Sequence, residues 1–388
     1  MGDMSLRCCV NLGTLAGALL AMGAQAQRSS ANQPVRIGYL PILDAAPLLV
    51  AHARKMYEAE RLEAEEPRLF RAWPQIVEAF LAGQVNVIHV LMPTAVLIRY
   101  GNRYPAKVVA WNHTNGSAIT VQPGIRDVKQ LMGQTVAVPF WYSIHNVVLQ
   151  AILREAGLKP LLRPAQGQKV PDGSVGLVLM PPPDMVAALA NRSIAGYIVA
   201  EPFNAAAENL NVGRVMRLTG DIWRDHACCV VLVHERDVKE NPEWTQRVVN
   251  AVVKAQAWIR ANRAATAKLL SREEGSYTPH PEAVLQRVLN QYDPVFYQRE
   301  GAIKHANWKV ARIDFQPYPF ASYTRLLVQL LQRTEVEGDR AFLGRLQPDF
   351  VARDLVDDRF VRRALSSVGG LATFGLPRNL QRQEAFRV

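Results

Sequence analysis

The chain has 388 residues, of which 49% are hydrophobic and 20% charged, with a formal net charge of +11. That apolar content excludes a disordered chain and is ample for packed cores. The arginines are scattered rather than gathered in aromatic-flanked patches, which argues against a nucleic-acid surface.

The first segment reads as an export signal. Arg7 gives a short basic start, Val10 to Met22 are almost wholly apolar, and Ala24-Gln25-Ala26 places small residues where a signal peptidase cuts. The run is too short to span a bilayer, and no later run reaches the roughly 20 apolar residues a span needs. Cys8 and Cys9 precede the run, whereas a lipoprotein signal carries its cysteine after it. The expectation is a free periplasmic protein beginning near Gln27. About 360 residues would remain, enough for about two domains. Their two cysteines, Cys228 and Cys229, are adjacent and could pair only with strain, so no disulfide framework is expected.

Val35 to Leu40 reads as a buried strand, and Ala45 to Met56 as a helix after a turn at Pro41 to Asp44. Pro74 suits the start of a helix that runs to Ala82 and is closed by Gly83. Asn86 to Leu91 is a further apolar strand, stopped by Pro93. Strands alternating with helices at this spacing imply parallel pairing in an α/β sheet. The order then recurs. Ile76 to Pro93 (IVEAFLAGQVNVIHVLMP) and Met185 to Pro202 (MVAALANRSIAGYIVAEP) both run helix, turn, strand and end on proline. Val35 to Val50 and Thr135 to Gln150 each read strand, loop, helix. The repetition predicts two lobes built alike. Gln122 to Gly133 reads as the passage into the second lobe, and Ala227 to Val233 as a buried strand where the chain returns. Trp244 to Ile259 is a long amphipathic helix, and Tyr318 to Gln332 and Phe350 to Leu365 also read as helices.

Catalytic signatures are absent: there is no P-loop, no dinucleotide fingerprint, no Gly-x-Ser-x-Gly elbow and no His-Glu-x-x-His. What stands out is polar and aromatic residues at strand ends, where ligands bind in open α/β sheets. Pro41 and Asp44 follow the first strand, and Thr94 follows the strand ending at Leu91. Asn115 and Ser117 flank Gly116, either a plain turn or a close backbone approach to a ligand. Ser143 is placed to cap the next helix, whose free N–H groups suit an anion. Trp141 and Tyr142 stand at its mouth, as walls for an organic ligand or as a packed aromatic corner. His145 reads as a satisfied histidine inside the helix. Glu201 sits where the other repeat has Met92, and would accept from a ligand amine or brace a hinge. Strand alternation across His226-Ala227-Cys228-Cys229 puts His226 and Cys228 on one face and Cys229 on the other, too few ligands for zinc. The two cysteines therefore read as buried strand, with His226 facing the cleft.

Taken together, VRIGYLPILDAAPLLVA, WNHTNGSAITV, AVPFWYSIHNVVLQ, AGYIVAEPFNAAAE and DHACCVVLVHERDV resemble the nitrate/sulfonate/taurine class of ABC-importer solute-binding proteins, a class related to thiamine-precursor binders. The resemblance covers about residues 34–270. It implies an α/β fold of the two-lobed, type II-like periplasmic binding protein class, with a ligand cleft between lobes joined by two crossing strands. On that basis residues 1–26 are the signal, 34–120 the first lobe, 121–225 the second, 226–320 its return and 321–388 a C-terminal helical extension. The implied function is capture of a small organic anion for a membrane permease, without catalysis, cofactor or metal, by a monomer. A pyrimidine-type heterocycle is the alternative ligand. A pyrimidine-synthase-like enzyme using His226, Cys228 and Cys229 is a further alternative, although that branch's cysteine-rich run is only partly matched.

Overall fold

The computed structural model describes residues 33–165 and 169–388. The export-signal reading falls on residues outside that range. Among the described residues no helix is long and apolar enough to cross a membrane.

Among the described residues thirteen strands follow one another: β1 (Ile37–Tyr39), β2 (Arg68–Leu69), β3 (Val87–Leu91), β4 (Ala106–Trp111), β5 (Thr114–Asn115), β6 (Ser117–Val121), β7 (Thr135–Val138), β8 (Lys159–Leu162), β9 (Ser174–Leu179), β10 (Gly196–Ala200), β11 (Arg214–Leu218), β12 (Cys229–His234) and β13 (Ile313–Asp314). They form two principal sheets, ordered β2-β1-β3-β12-β4 and β11-β6-β10-β7-β9-β8. β1 pairs parallel with β2 and β3, while β12 runs antiparallel to both β3 and β4. In the second sheet β7 pairs parallel with β9 and β10, while β6 runs antiparallel to β10 and β11. The two sheets thus repeat one pattern, and the α/β two-lobed architecture is the one the sequence implies. β1 and β3 are wholly buried, as the core strands of a sheet covered by helices must be.

The helix Trp73–Leu81 has Pro74 in its first turn, where the missing N–H has no partner to lose. Gly83, at φ 70°, ends it. The helix Pro242–Ala261 buries Trp244, Val248, Val252, Ala255 and Ile259 along one stripe. One expected helix is divided. Phe350 to Leu365 forms Pro348–Asp354 and Arg359–Leu365. Between them, Val108 of β4 accepts from Asp357 and donates to Leu355, at 2.9 Å each. The C-terminal region therefore covers the edge of the first sheet, which would otherwise present unpaired backbone groups.

The chain passes between the sheets twice, from β4 to β6 and from β11 to β12. The two passages are bonded together: Asn115 N donates to the His226 carbonyl at 2.8 Å, and Asn112 N to the Cys229 carbonyl at 3.1 Å. Gly220 comes so close to Asn115 that a Cβ would lie 2.7 Å from its side chain. Beside these passages Arg312, buried, donates to Glu201 at 2.7 Å and Glu208 at 3.1 Å, and also to the hydroxyl of Tyr297. Removing one member of a buried ion pair leaves the others uncompensated. Arg312→Met is expected to lower the unfolding free energy by about 3–5 kcal/mol, read by urea denaturation. A loss below about 1 kcal/mol would show that Glu201 and Glu208 are satisfied without it.

Candidate functional site

The carboxyl ends of the strands from both sheets meet around the two passages. There the structure gathers a buried group of titratable side chains: Asp44, His89, His113, His145, His226, Cys228 and Cys229. Each arrives on a different part of the fold. Asp44 lies in the turn after β1. His89 is the centre of β3. His113 lies in the first passage, just after β4. His145 is in the first turn of the helix Ile144–Glu155, which Ser143 caps by accepting from Asn146 N at 3.0 Å. His226, Cys228 and Cys229 end the second passage.

His113 Nε2 lies 2.9 Å from Asp44 Oδ2, and the backbone N–H of Cys229 points at the same nitrogen from 3.2 Å. Neither Asp44 oxygen has a hydrogen bond of good alignment. His89 Nε2 accepts from Leu40 N at 2.9 Å, which leaves the proton of its neutral ring on Nδ1, where it has no partner. His145 Nε2 lies 2.9 Å from Ser117 Oγ and 3.8 Å from Cys228 Sγ, and its Nδ1 has no partner. His226 Nδ1 meets the Trp223 carbonyl at 2.8 Å, leaving Nε2 without a partner.

Burial pushes the Asp44 carboxyl up to about 6 even though His113 opposes it. Burial alone would lower His113, but the Asp44 charge, its contact and the Cys228 sulfur hold it up at about 10. Burial holds His89 down at about 3 and His226 at about 4. Burial would raise the Cys228 thiol, yet Cys229, His145 and His113 beside it bring it well below the ordinary range. Cys229 is driven well up by burial and by the neighbouring Cys228 and Asp44.

Of the residues expected at the site, Asp44, Ser117 and His226 join this group. The others are engaged elsewhere. The Pro41 carbonyl faces His280 Nε2 at 3.3 Å. Thr94 Oγ1 donates to the Tyr142 carbonyl at 2.7 Å, a bond between the lobes. Asn115, at φ 58°, donates to Asp225 at 3.3 Å and to the Ala311 carbonyl at 3.1 Å. Ser143 is occupied as a helix cap. Trp141 and Tyr142 turn to the C-terminal segment: Trp141 Nε1 donates to Glu337 at 3.0 Å, and Tyr142 stacks on Phe342. Glu201 is spent on Arg312. The alternation argument fails at the cysteines, because β12 begins only at Cys229 and Cys228 lies in a bend. Both sulfurs consequently reach one place. His89 and His113 were not singled out, although His113 lies within a strand-end segment, and His145, read as a satisfied histidine inside the helix, has Nδ1 without a partner.

Comparison with known proteins adds a family. The profile described as "NMT1-like family" matches residues 28–271. The nitrate/nitrite binding protein NrtA of a Nostoc species is 25% identical over 257 residues, covering 59% of this chain and 56% of that protein. The chain thus spans about half the length of that relative. The solved periplasmic nitrate-binding protein NrtA from Synechocystis superposes with a TM-score of 0.71 at 19% identity, covering 91% of this chain and 93% of that one. The aliphatic sulphonate binding protein SsuA from Escherichia coli gives 0.59 at 19%, covering 84% and 92%. At that identity the two structures speak for the fold.

The site sets a pH dependence. His89 and His226 have folded values below the unfolded value of about 6.5, so the unfolded chain takes up their protons first as pH falls, and stability drops below about 6.5. Asp44 acts in the opposite sense between about 6 and 3.8, and offsets one of the two. His113 contributes stability that is complete below about 6.5 and lost as pH rises through 10. Urea midpoints are expected to peak near neutrality. Each pH unit below about 6.5 costs about 1.4 kcal/mol per buried histidine, and His89→Gln should remove one such increment from the acid limb.

Proposed function

The chain belongs to the NMT1-like family, and on that premise we propose that it is the solute-binding component of an ABC importer, capturing a small anion of the nitrate or sulfonate kind between its lobes. The observation that supports this reading is the set of buried ring nitrogens without partners, His89 Nδ1, His113 Nδ1 and His145 Nδ1, drawn from β3, the first passage and the second lobe. Each buried polar atom left unpaired costs about 1–3 kcal/mol, so a concentration of them is a feature that a bound molecule would relieve. Nε2 of His89 accepts from a backbone N–H, which leaves the ring proton on Nδ1, and His113, protonated beside Asp44, carries a proton on Nδ1 as well; both Nδ1 atoms are donors, which is what an oxyanion needs. The net charge of +11 would assist its approach.

Binding would proceed without chemistry. Bonds such as Thr94 to Tyr142 and Leu43 N to the Glu201 carbonyl, at 2.7 and 2.9 Å, join the lobes and would form as the cleft shuts. The closed protein, a monomer in the periplasm, would then be read by a membrane permease. One observation favours the second ligand class, a heterocycle bearing N–H groups: Asp44 and His226 Nε2 are acceptors in the same site.

Thermal unfolding against nitrate, bicarbonate, taurine, alkanesulfonates and pyrimidines tests the reading. A cognate ligand at about 100 times its Kd should add about 2.7 kcal/mol of stability. His145→Ala should weaken binding of that ligand by roughly 10–100-fold, the equivalent of one lost buried hydrogen bond. Shifts with pyrimidines alone would reverse the choice of ligand, and no shift with any compound would remove the anion class.

A further inference from the structure

One sulfur from each of Cys228 and Cys229, a carboxylate oxygen of Asp44 and a ring nitrogen of His113 all lie within 4.8 Å of one another, and all four residues are buried. We propose that these residues form a mononuclear zinc site at the floor of the interlobe cleft. The proposal goes beyond solute binding and does not depend on which solute is bound.

The donor set selects the ion. Two thiolates, an imidazole and a carboxylate are a borderline-soft tetrahedral set of the kind Zn²⁺ takes. Calcium and magnesium demand oxygen ligands throughout, and Cu⁺ would use the sulfurs but gains little from a carboxylate. Zinc bond lengths of about 2.0–2.3 Å place tetrahedral ligands roughly 3.3–3.8 Å apart. The present spread, 4.8 Å at most, closes to that by about an ångström of side-chain rotation.

The surroundings support a cation. Asp44 is buried with no well-aligned hydrogen bond to either oxygen, beside two free thiols that have not formed a disulfide. The charge that faces this buried carboxylate is that of His113, 2.9 Å away without good alignment, and a divalent ion held by both residues would replace that contact with two coordinate bonds. Bound zinc would take thiolates and a neutral imidazole as ligands, releasing to solvent whatever protons the two sulfurs and the His113 ring carry. Outer partners are also present: His145 Nε2 at 3.8 Å and Ser117 Oγ at 3.9 Å stand against the Cys228 sulfur, and Tyr323 donates at 2.6 Å to the carbonyl of Ala227, next in the chain. The four ligands come from the turn after β1 and from both passages, so one ion would tie the passages to the first lobe.

The test is titration of the full-length protein, metal-stripped and thiol-reduced, with Co²⁺. The expected result is one equivalent bound, with sulfur-to-cobalt charge-transfer absorption and the visible bands of tetrahedral cobalt, both lost on adding one equivalent of Zn²⁺. Cys228→Ser and Cys229→Ser should each remove much of the charge-transfer band. Asp44→Asn should keep it while weakening zinc by more than the roughly 10–100-fold typical of outer-shell losses. Far-UV circular dichroism identifies a variant that has failed to fold, and the wild-type spectrum depends on no variant. An octahedral cobalt spectrum, binding indifferent to both serine variants, or Cu⁺ that Zn²⁺ cannot displace would each overturn the assignment. Zinc binding and the anion panel are separate readouts, so either can fail without the other.

Discussion

The structure hangs on the bonding between the two passages that join its lobes. β6 is the first strand the chain lays down in the second sheet after leaving β4, and β12 the first on its return. Each takes an antiparallel position between strands of its new sheet. This leaves Asn112 to Gly116 and Thr219 to Cys228 side by side, held by backbone bonds from Asn112 and Asn115 to the carbonyls of Cys229 and His226. Neither lobe can be completed without both passages. Residues of the passages therefore also line the place where the strand ends converge.

That coincidence explains the composition of the site. A pair of passages running through the middle of a molecule is buried, and polar side chains on it lose water. Most find partners, as Glu201 does with Arg312 and Thr219 does with the Ser117 carbonyl at 2.9 Å. The group around Cys228 does not close on itself in the same way: Nδ1 of His89, His113 and His145 and Nε2 of His226 have no hydrogen-bond partner. Local bonds already fix the orientation of these rings through their other nitrogens, which is preorganisation of the sort that lowers the cost of binding.

The C-terminal region completes the closure from outside. Glu335 to Phe342 lies against the start of the helix Ile144–Glu155: Gln150 donates to the Glu335 carbonyl at 2.7 Å, and Arg163 pairs with Glu337 at 2.6 Å. The helices on either side of this segment pack on each other and on the first sheet's edge. A segment rooted in one lobe thus grips the mouth of the other. It is this grip that occupies Trp141 and Tyr142, which from their position after β7 read equally as ligand walls or as a packed aromatic corner.

What the sequence determined by itself is what depends on short range. The buried strands at Ile37 and Val87, the helix opened by Pro74 and ended by Gly83, the Ser143 cap and the repeated helix-turn-strand order all follow from apolar periodicity, proline and glycine placement and local hydrogen bonding. The strand-end location of the site was legible for the same reason. Which strand-end residues meet was decided only by the tertiary structure. Asp44 and Glu201 are alike in sequence, a carboxylate after a buried strand, yet Arg312, more than a hundred residues further along, takes one, and His113 faces the other. Cys228 and Cys229 read as a strand pair pointing apart until the second passage bends at Cys228 and turns both sulfurs inward. Periodicity reports the faces of regular elements. A bend between elements, and the distant partner that consumes a charge, leave no periodic trace for it to report.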